Sequence, residues 1–251
     1  MRKSINMLAW FCGVAAVLVA GVSFASEGNA ANGKTIFANG KGSAAPCMSC
    51  HGDKAQGNDD MGAPRLAGQG AAYIVKQLTD FAGDKRTPAG VGAVMPTFAK
   101  ELNEQDRRDV AVYVNSLKDA PEMSDLKKLK EGGTKVGEAY VGQAIVKFGV
   151  KDKLDGKDHA AVPACMSCHG YNGRGAAPVF PVIGQQKFVY LVNQLHNWKD
   201  GSRANDPVVG SVGMMRAVAK NLTDDDIVNI ANFLSAAPET TAGNHRVPTQ
   251  D

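Results

Sequence analysis

The hexapeptide Cys-Met-Ser-Cys-His-Gly occurs twice in this chain, from Cys47 and again from Cys165, 118 positions later. Its surroundings repeat with it. Leu66-Ala-Gly-Gln69 answers Val182-Ile-Gly-Gln185, Tyr73-Ile-Val-Lys-Gln-Leu78 answers Tyr190-Leu-Val-Asn-Gln-Leu195, and Arg86 answers Arg203. Further on, Met95, Ala99-Lys100, Leu102 and Asp106 answer Met215, Ala219-Lys220, Leu222 and Asp226 at an offset of 120. The order is kept while the offset drifts by a few residues, which is the mark of a duplicated domain with small loop insertions. A chain of 251 residues is long enough for two such units, each with its own core.

Within each copy the apolar pattern is helical. Gly33 to Gly40 and Gly142 to Gly149 share a seven-residue glycine spacing, with Ile36 and Phe37 matched by Ile145 and Val146. Tyr73 to Phe81 and Tyr190 to Trp198 form a second pair of helices. The last pair is the best marked: Asn103 with Asp106, and Thr223 with Asp226, place a capping residue three before a carboxylate. Val110, Tyr113, Val114 and Leu117, and Ile227, Ile230, Phe233 and Leu234, then recur at helical spacing until Pro121 and Pro238. No stretch alternates as a strand would, so the expected class is all-α. The second copy carries nine extra residues around Lys151 to His159, which read as a polar surface loop.

The opening reads as a leader: Arg2 and Lys3, an apolar run from Met7 to Val22, then Ser23-Phe24-Ala25, with cleavage expected after Ala25. A retained anchor is the alternative, although the run is shorter than the roughly 20 residues that span a bilayer. The expected organisation is a leader over 1–25, one domain over 26–120, a linker over 121–136, a second domain over 137–238 and a flexible tail over 239–251. Charge and the Gly132-Gly133 pair mark Asp119 to Val136 as linker-like. Lys127, Lys128 and Lys130 there read as a solvated face rather than a docking patch for an acidic partner. Lys plus Arg number 28 against 25 Asp plus Glu, so bulk charge excludes a nucleic-acid binder of the ordinary kind.

Cysteine usage carries the chemistry. Of the five cysteines, Cys12 lies in the leader and the other four form the two Cys-x-x-Cys-His motifs. Zinc would want four ligands per site, and no fourth stands at zinc-finger spacing. A thioredoxin-like pair would sit near a β-α-β pattern, which is missing. The remaining reading is covalent haem: Cys47 and Cys50, and Cys165 and Cys168, bond one porphyrin each, and His51 and His169 ligate iron from one face. Two haem c groups are expected.

The repeat also supplies a ligand for the opposite face. Met95 and Met215 occupy equivalent places, 44 and 46 residues after His51 and His169, on loops with nearby glycines. A thioether there raises the reduction potential relative to a second imidazole. Met214 is the rival of Met215; alignment through Leu222 and Asp226 favours Met215. Met61 and Met123 have no counterparts and read as loop or surface residues. His159, His196 and His245 read as surface residues too. Pro64 and Pro181 precede the Gly-Gln motifs, and their carbonyls are expected to orient the imidazoles. Arg86 and Arg203 are either partners of haem propionates or exposed helix-end residues. Tyr73, Tyr190 and Trp198 read as core.

These motifs together, Gly33 with Phe37, CMSCHG, PRLAGQ, YIVKQL, Arg86 and Met95 with its following Ala-Lys and Leu, and their second-copy partners, carry a resemblance. Each half resembles a class I cytochrome c, and the tandem pair resembles the dihaem cytochrome c4 family over almost the whole chain after the leader. The departures are the nine-residue insertion, a one-residue shortening placed between Pro181 and Gly184, and the charged linker. The resemblance implies two helical domains, each wrapped around one covalently bound haem c, with the haems at their interface. It implies single-electron transfer in the periplasm between a donor complex and a terminal oxidase or reductase, both membrane-bound respiratory assemblies. Two six-coordinate irons leave no open position, so an electron carrier without a small-molecule substrate is expected rather than an enzyme. A cytochrome subunit held in a larger oxidoreductase would carry identical motifs.

Overall fold

The computed structural model describes residues 27–117, 122–151, 153–154, 157–158, 161–209 and 212–237. The expected leader with Cys12, the helix-stopping Pro121 and Pro238, His159, His245 and the tail lie outside them. Two helical domains follow one another. The first holds α1 (Ala30–Asn39), α2 (Met48–His51), α3 (Ala71–Ala82), α4 (Met95–Lys100) and α5 (Glu104–Ser116). After a connecting helix α6 (Leu126–Glu131), the second holds α7 (Ala139–Phe148), α8 (Met166–His169), α9 (Phe188–Asp200), α10 (Met214–Ala219) and α11 (Asp224–Ser235).

Local chemistry explains where these helices begin. The Asn29 side chain accepts from the backbone amides of Ala31 and Asn32, and so caps α1. Asn103 with Asp106 and Thr223 with Asp226 close reciprocal capping boxes at α5 and α11. The first helix of each domain crosses the last one at a glycine. A Cβ on Gly33 would stand 2.0 Å from the Asp109 carbonyl oxygen, and one on Gly142 would stand 1.8 Å from that of Asn229. Any larger residue would force the helix pair apart. Behind the crossings, Phe37, Val110 and Val114 form the first core, and Val146, Ile227, Ile230 and Leu234 the second. Each such buried side chain contributes about 1.5–3 kcal/mol against exposure.

Three sequence expectations are corrected. The linker contains α6, capped by the Asp125 side chain, and its Leu126 and Leu129 pack against the second core. The charge-rich composition concealed this single amphipathic turn. The insertion is a hairpin rather than plain loop, with β1 (Lys153–Leu154) antiparallel to β2 (Lys157–Asp158). A second hairpin, β3 (Val208–Val209) with β4 (Val212–Gly213), leads into α10.

The third correction concerns register. The Gly68 amide donates to Val114 in the first domain, and in the second the same bond to the equivalent Leu234 comes from Gln185, not Gly184. Gly68 and Gln185 both take the left-handed conformation, at φ 72 and 55. Gln69 therefore matches Gln186, and the offset stays at 117 from Pro64 to Arg86. The missing residue lies earlier: the bridge Asn58 to Ala63 spans six residues, and its counterpart Ala176 to Phe180 spans five. Among the described residues no helix is long and apolar enough to cross a membrane.

Candidate functional site

Each Cys-x-x-Cys-His motif folds into one short helix, α2 or α8, so that both sulfurs and the imidazole project from one turn. His51 donates from Nδ1 to the Pro64 carbonyl at 2.9 Å, and His169 to the Pro181 carbonyl at 2.9 Å. That bond fixes the proton on Nδ1 and leaves Nε2 as the free lone pair, as an iron ligand requires. Burial lowers the pKa of both imidazoles, opposed by the proline carbonyls, so both are neutral at pH 7. Burial also pushes the Cys47 and Cys165 thiols up to about 11. Thiols so raised are not the exposed thiolates of redox enzymes.

The four cysteines and two histidines line one continuous cavity of about 990 Å³ that runs across the interface between the domains. Met95, Met214 and Met215 lie on its wall, half-buried. Met215 also packs against the second core. Met61 is not a plain surface methionine: it is half-buried and lines the same cavity. Met123 is exposed, and His196 is partly exposed, 4.0 Å from Asp224.

The interface is where sequence reading saw least. Arg86 and Arg203 are buried, each 7% exposed, which removes the exposed helix-end alternative. Arg86 bonds Gln77 of its own domain at 2.7 Å, then Gln194 at 2.9 Å and Tyr190 at 3.2 Å across the interface. Arg203 repeats the pattern with Gln194 at 2.6 Å, Tyr73 at 3.1 Å and Gln77 at 3.2 Å. Tyr73 and Tyr190 are thus joined to this network rather than being simple core. Each guanidinium also lies over an aromatic ring, Phe81 at 4.6 Å and Trp198 at 4.3 Å. Partial burial of Tyr190 would raise its phenol pKa, but the charges and hydrogen bonds of Arg86 and Arg203 outweigh this and hold it below the usual 10.

A second reciprocal pair also joins the domains. Gln69 binds the peptide of Val182, and Gln186 binds that of Arg65. Around this rim, Lys128 pairs with Asp60 at 3.1 Å, so one of the three linker lysines ties α6 to the first domain. Such self-complementary pairing is the pattern of a two-fold, isologous interface.

These residues fit two haem groups. The partners of Arg86 and Arg203 named above are neutral, and two buried cations facing a shared cavity call for anionic groups within it. The cysteine sulfurs, free imidazole nitrogens and thioethers on its wall are the donor set of covalently held, axially ligated iron porphyrin.

Comparison with known proteins agrees. The model of the cytochrome c family matches residues 30–118 and 154–238. The chain is 35% identical to a thiosulfate dehydrogenase electron acceptor of Thiomonas intermedia, over 78% of this chain and 80% of that one. It is 34% identical to cytochrome c4 of Stutzerimonas stutzeri, over 78% and 86%. Among solved structures, reduced cytochrome c4 from Pseudomonas stutzeri superposes with a TM-score of 0.62 at 30% identity, covering 83% of this chain and 98% of that one. A thiosulfate dehydrogenase (TsdBA) from Marichromatium purpuratum gives 0.70 at 29% identity, but this chain spans only 40% of that one.

Proposed function

The chain belongs to the cytochrome c family, as a tandem two-domain member of the c4 type with two covalently bound haem c groups, and on that premise we propose its ligands, its route and its partners. It is an electron-transfer cytochrome. The observation that carries the reading is the single cavity that holds both motifs and crosses the interface, because it brings two redox centres within one buried space.

In this reading Cys47 and Cys50 anchor one haem and Cys165 and Cys168 the other. His51 and Met95 would hold the iron of the first, and His169 and Met215 that of the second. The haem iron supplies reversible one-electron chemistry when bound. The protein supplies everything that tunes it. Pro64 and Pro181 fix the orientation and tautomer of the imidazoles, so that each presents Nε2 in one position. Arg86 and Arg203 meet the propionates, and the wall of buried apolar residues keeps water from the metal. With both groups bound, the chain would pass single electrons with no bond made or broken.

The same reading takes 26–120 and 137–238 as the haem domains, 121–136 as their connection, and 1–25 as a leader for export to the periplasm. The donor we propose is a dehydrogenase of the thiosulfate-oxidising type, since one relative is named as the electron acceptor of such an enzyme. The acceptor is a membrane-bound terminal oxidase or reductase.

A redox titration that follows the Met-to-iron charge-transfer band tests the ligands. Wild type should show two such haems; a bis-histidine or five-coordinate signal from either would overturn the set. Stopped-flow mixing with a reduced thiosulfate dehydrogenase tests the donor. Reduction within the enzyme's turnover time supports it, and reduction slower than turnover refutes it. Purification from native membranes separates a free carrier from a fixed subunit, which would co-elute with a catalytic chain in constant ratio.

A further inference from the structure

The two methionine-bearing segments are held by different devices. In the first domain Met95 opens α4 with Pro96 next to it, and no side chain caps the helix. In the second, α10 begins after Gly213, which has no side chain to cap with. The cap comes from seven residues upstream. Asp206 accepts from the Arg216 backbone amide at 3.1 Å and from its Nε at 3.1 Å, so its carboxylate occupies the helix start and grips the residue beside Met215. Its side chain is almost wholly buried, 2% exposed. Gly213 is required here: a Cβ would stand 2.1 Å from Oδ1 of Asp206.

The residue before Asp206 faces the other way. Asn205 donates from its amide to Asp80 at 2.6 Å and to Gln77 at 3.1 Å, both on α3 of the first domain. Its carbonyl accepts from Lys76 of the same helix at 2.7 Å, and its side-chain oxygen from Arg203 Nε at 3.1 Å. Lys76 is itself paired with Asp80. Two consecutive residues thus join one face of the first domain to the start of the methionine helix of the second. The first domain has no counterpart. At the same distance after Arg86 stand Pro88 and Ala89, whose side chains carry no polar atom.

We propose that Asn205 and Asp206 form a one-sided brace through which docking of the first domain holds Met215 in place for the second haem, while Met95 has no such dependence. Both stand on the cavity wall beside Met215, and the role assigned to them is to position that methionine. The proposal rests on the reading of Met215 as a ligand, and wild type must first show two Met-ligated haems. If it shows only one, the ligand reading fails, and the brace fails with it.

The test uses full-length holoprotein with Asn205→Ala, Asp206→Asn and, as control, Thr87→Ala. Upfield methyl resonances of the reduced protein count the Met-ligated haems, and carbon monoxide uptake reports how often each methionine leaves its iron. Loss of one hydrogen bond of this kind, about 1.4 kcal/mol, corresponds to about tenfold. Both brace variants should therefore raise carbon monoxide uptake by one haem about tenfold and leave the other at the wild-type rate. The control should change neither. Unchanged uptake in both variants overturns the proposal. Faster uptake in Asp206→Asn alone overturns the inter-domain part, because the cap would then act locally. Equal acceleration at both haems overturns it as well, since a general loosening would not single out one site. Should Asp206→Asn fail to take up haem, Asn205→Ala by itself decides the matter.

Discussion

Gln69 of the first domain holds the peptide group of Val182 in the second from both ends, accepting from its amide at 2.9 Å and donating to its carbonyl at 2.9 Å. Gln186 does the same to Arg65, at 2.7 and 2.9 Å. The two contacts are images of one another under the internal repeat, and they make the interface behave as a pseudo-symmetric dimer enclosed in one chain. Val182 and Arg65 each stand one residue after the proline whose carbonyl holds an imidazole, so the clamp bears directly on where those imidazoles are held.

Gln69→Ala and Gln186→Ala each leave a peptide amide and carbonyl without their partners. The expected cost is about 2 kcal/mol per variant, from the price of leaving interface polar groups unpaired. Denaturant unfolding of the holoprotein, followed separately by haem absorbance and far-ultraviolet dichroism, should show an earlier midpoint and a transition splitting toward two steps. An unchanged single transition would count against the clamp.

Gly33→Ala and Gly142→Ala invert the usual rule for helices. Alanine in place of glycine ordinarily stabilises a helix interior by roughly 0.5–1 kcal/mol. Here the added methyl would meet a carbonyl oxygen of the crossing helix at 2.0 or 1.8 Å. Separation of the pair is expected to cost about 1–3 kcal/mol. Thermal unfolding and the yield of haem-loaded protein measure it, and a gain in stability would contradict the close crossing.

Asp109 links α5 to the start of α1, accepting from the Asn29 amide and from the Asn32 and Gln105 side chains, all at 2.7 Å. Burial would raise its pKa, but these hydrogen bonds, with the nearby Arg108 charge, hold it below the ordinary aspartate value of 3.8. A depressed carboxylate contributes its stability fully above the unfolded-state value and loses it as the pH falls through the folded-state value. Acid should therefore weaken the first domain below about pH 4. Asp109→Asn should be less stable at neutral pH and should flatten that acid limb. Equilibrium unfolding at a series of pH values compares the two slopes.

Met215→Ala should remove one of two Met-to-iron bands and lower the potential of that haem alone, and Met95→Ala should do the same for the other. Met214→Ala should keep both bands. Retention of both in the Met215 variant would transfer the second ligand to Met214, which shares the cavity wall.

Much of this was legible in the letters. The motifs carry their own chemistry because two sulfurs and an imidazole within five residues need only one helical turn to converge. The capping boxes and glycine spacings were equally readable, since each acts over three to seven residues. The register after Pro181 is not legible in the letters, because the matching Gly-Gln pairs align one residue away from the backbone positions that correspond. Gln185 in fact takes the left-handed place of Gly68, a substitution that letters alone do not reveal.

What the sequence by itself determined is the duplication, the helical class and the two haem motifs; the methionine-bearing segments it singled out line the same cavity. Tertiary structure alone decided how the halves meet. Arg86 and Arg203 are buried rather than exposed, Met61 faces the cavity, α6 lies against the second core, and the peptides of Val182 and Arg65 are gripped from the opposite domain. The physical reason is that the hydrogen bonds which Arg86, Arg203, Gln69 and Gln186 make across the interface join groups 104 to 130 positions apart, and several end on backbone atoms that every residue carries alike. Periodicity reports which face of a helix is apolar; only the docked domains show which polar atoms complete one another.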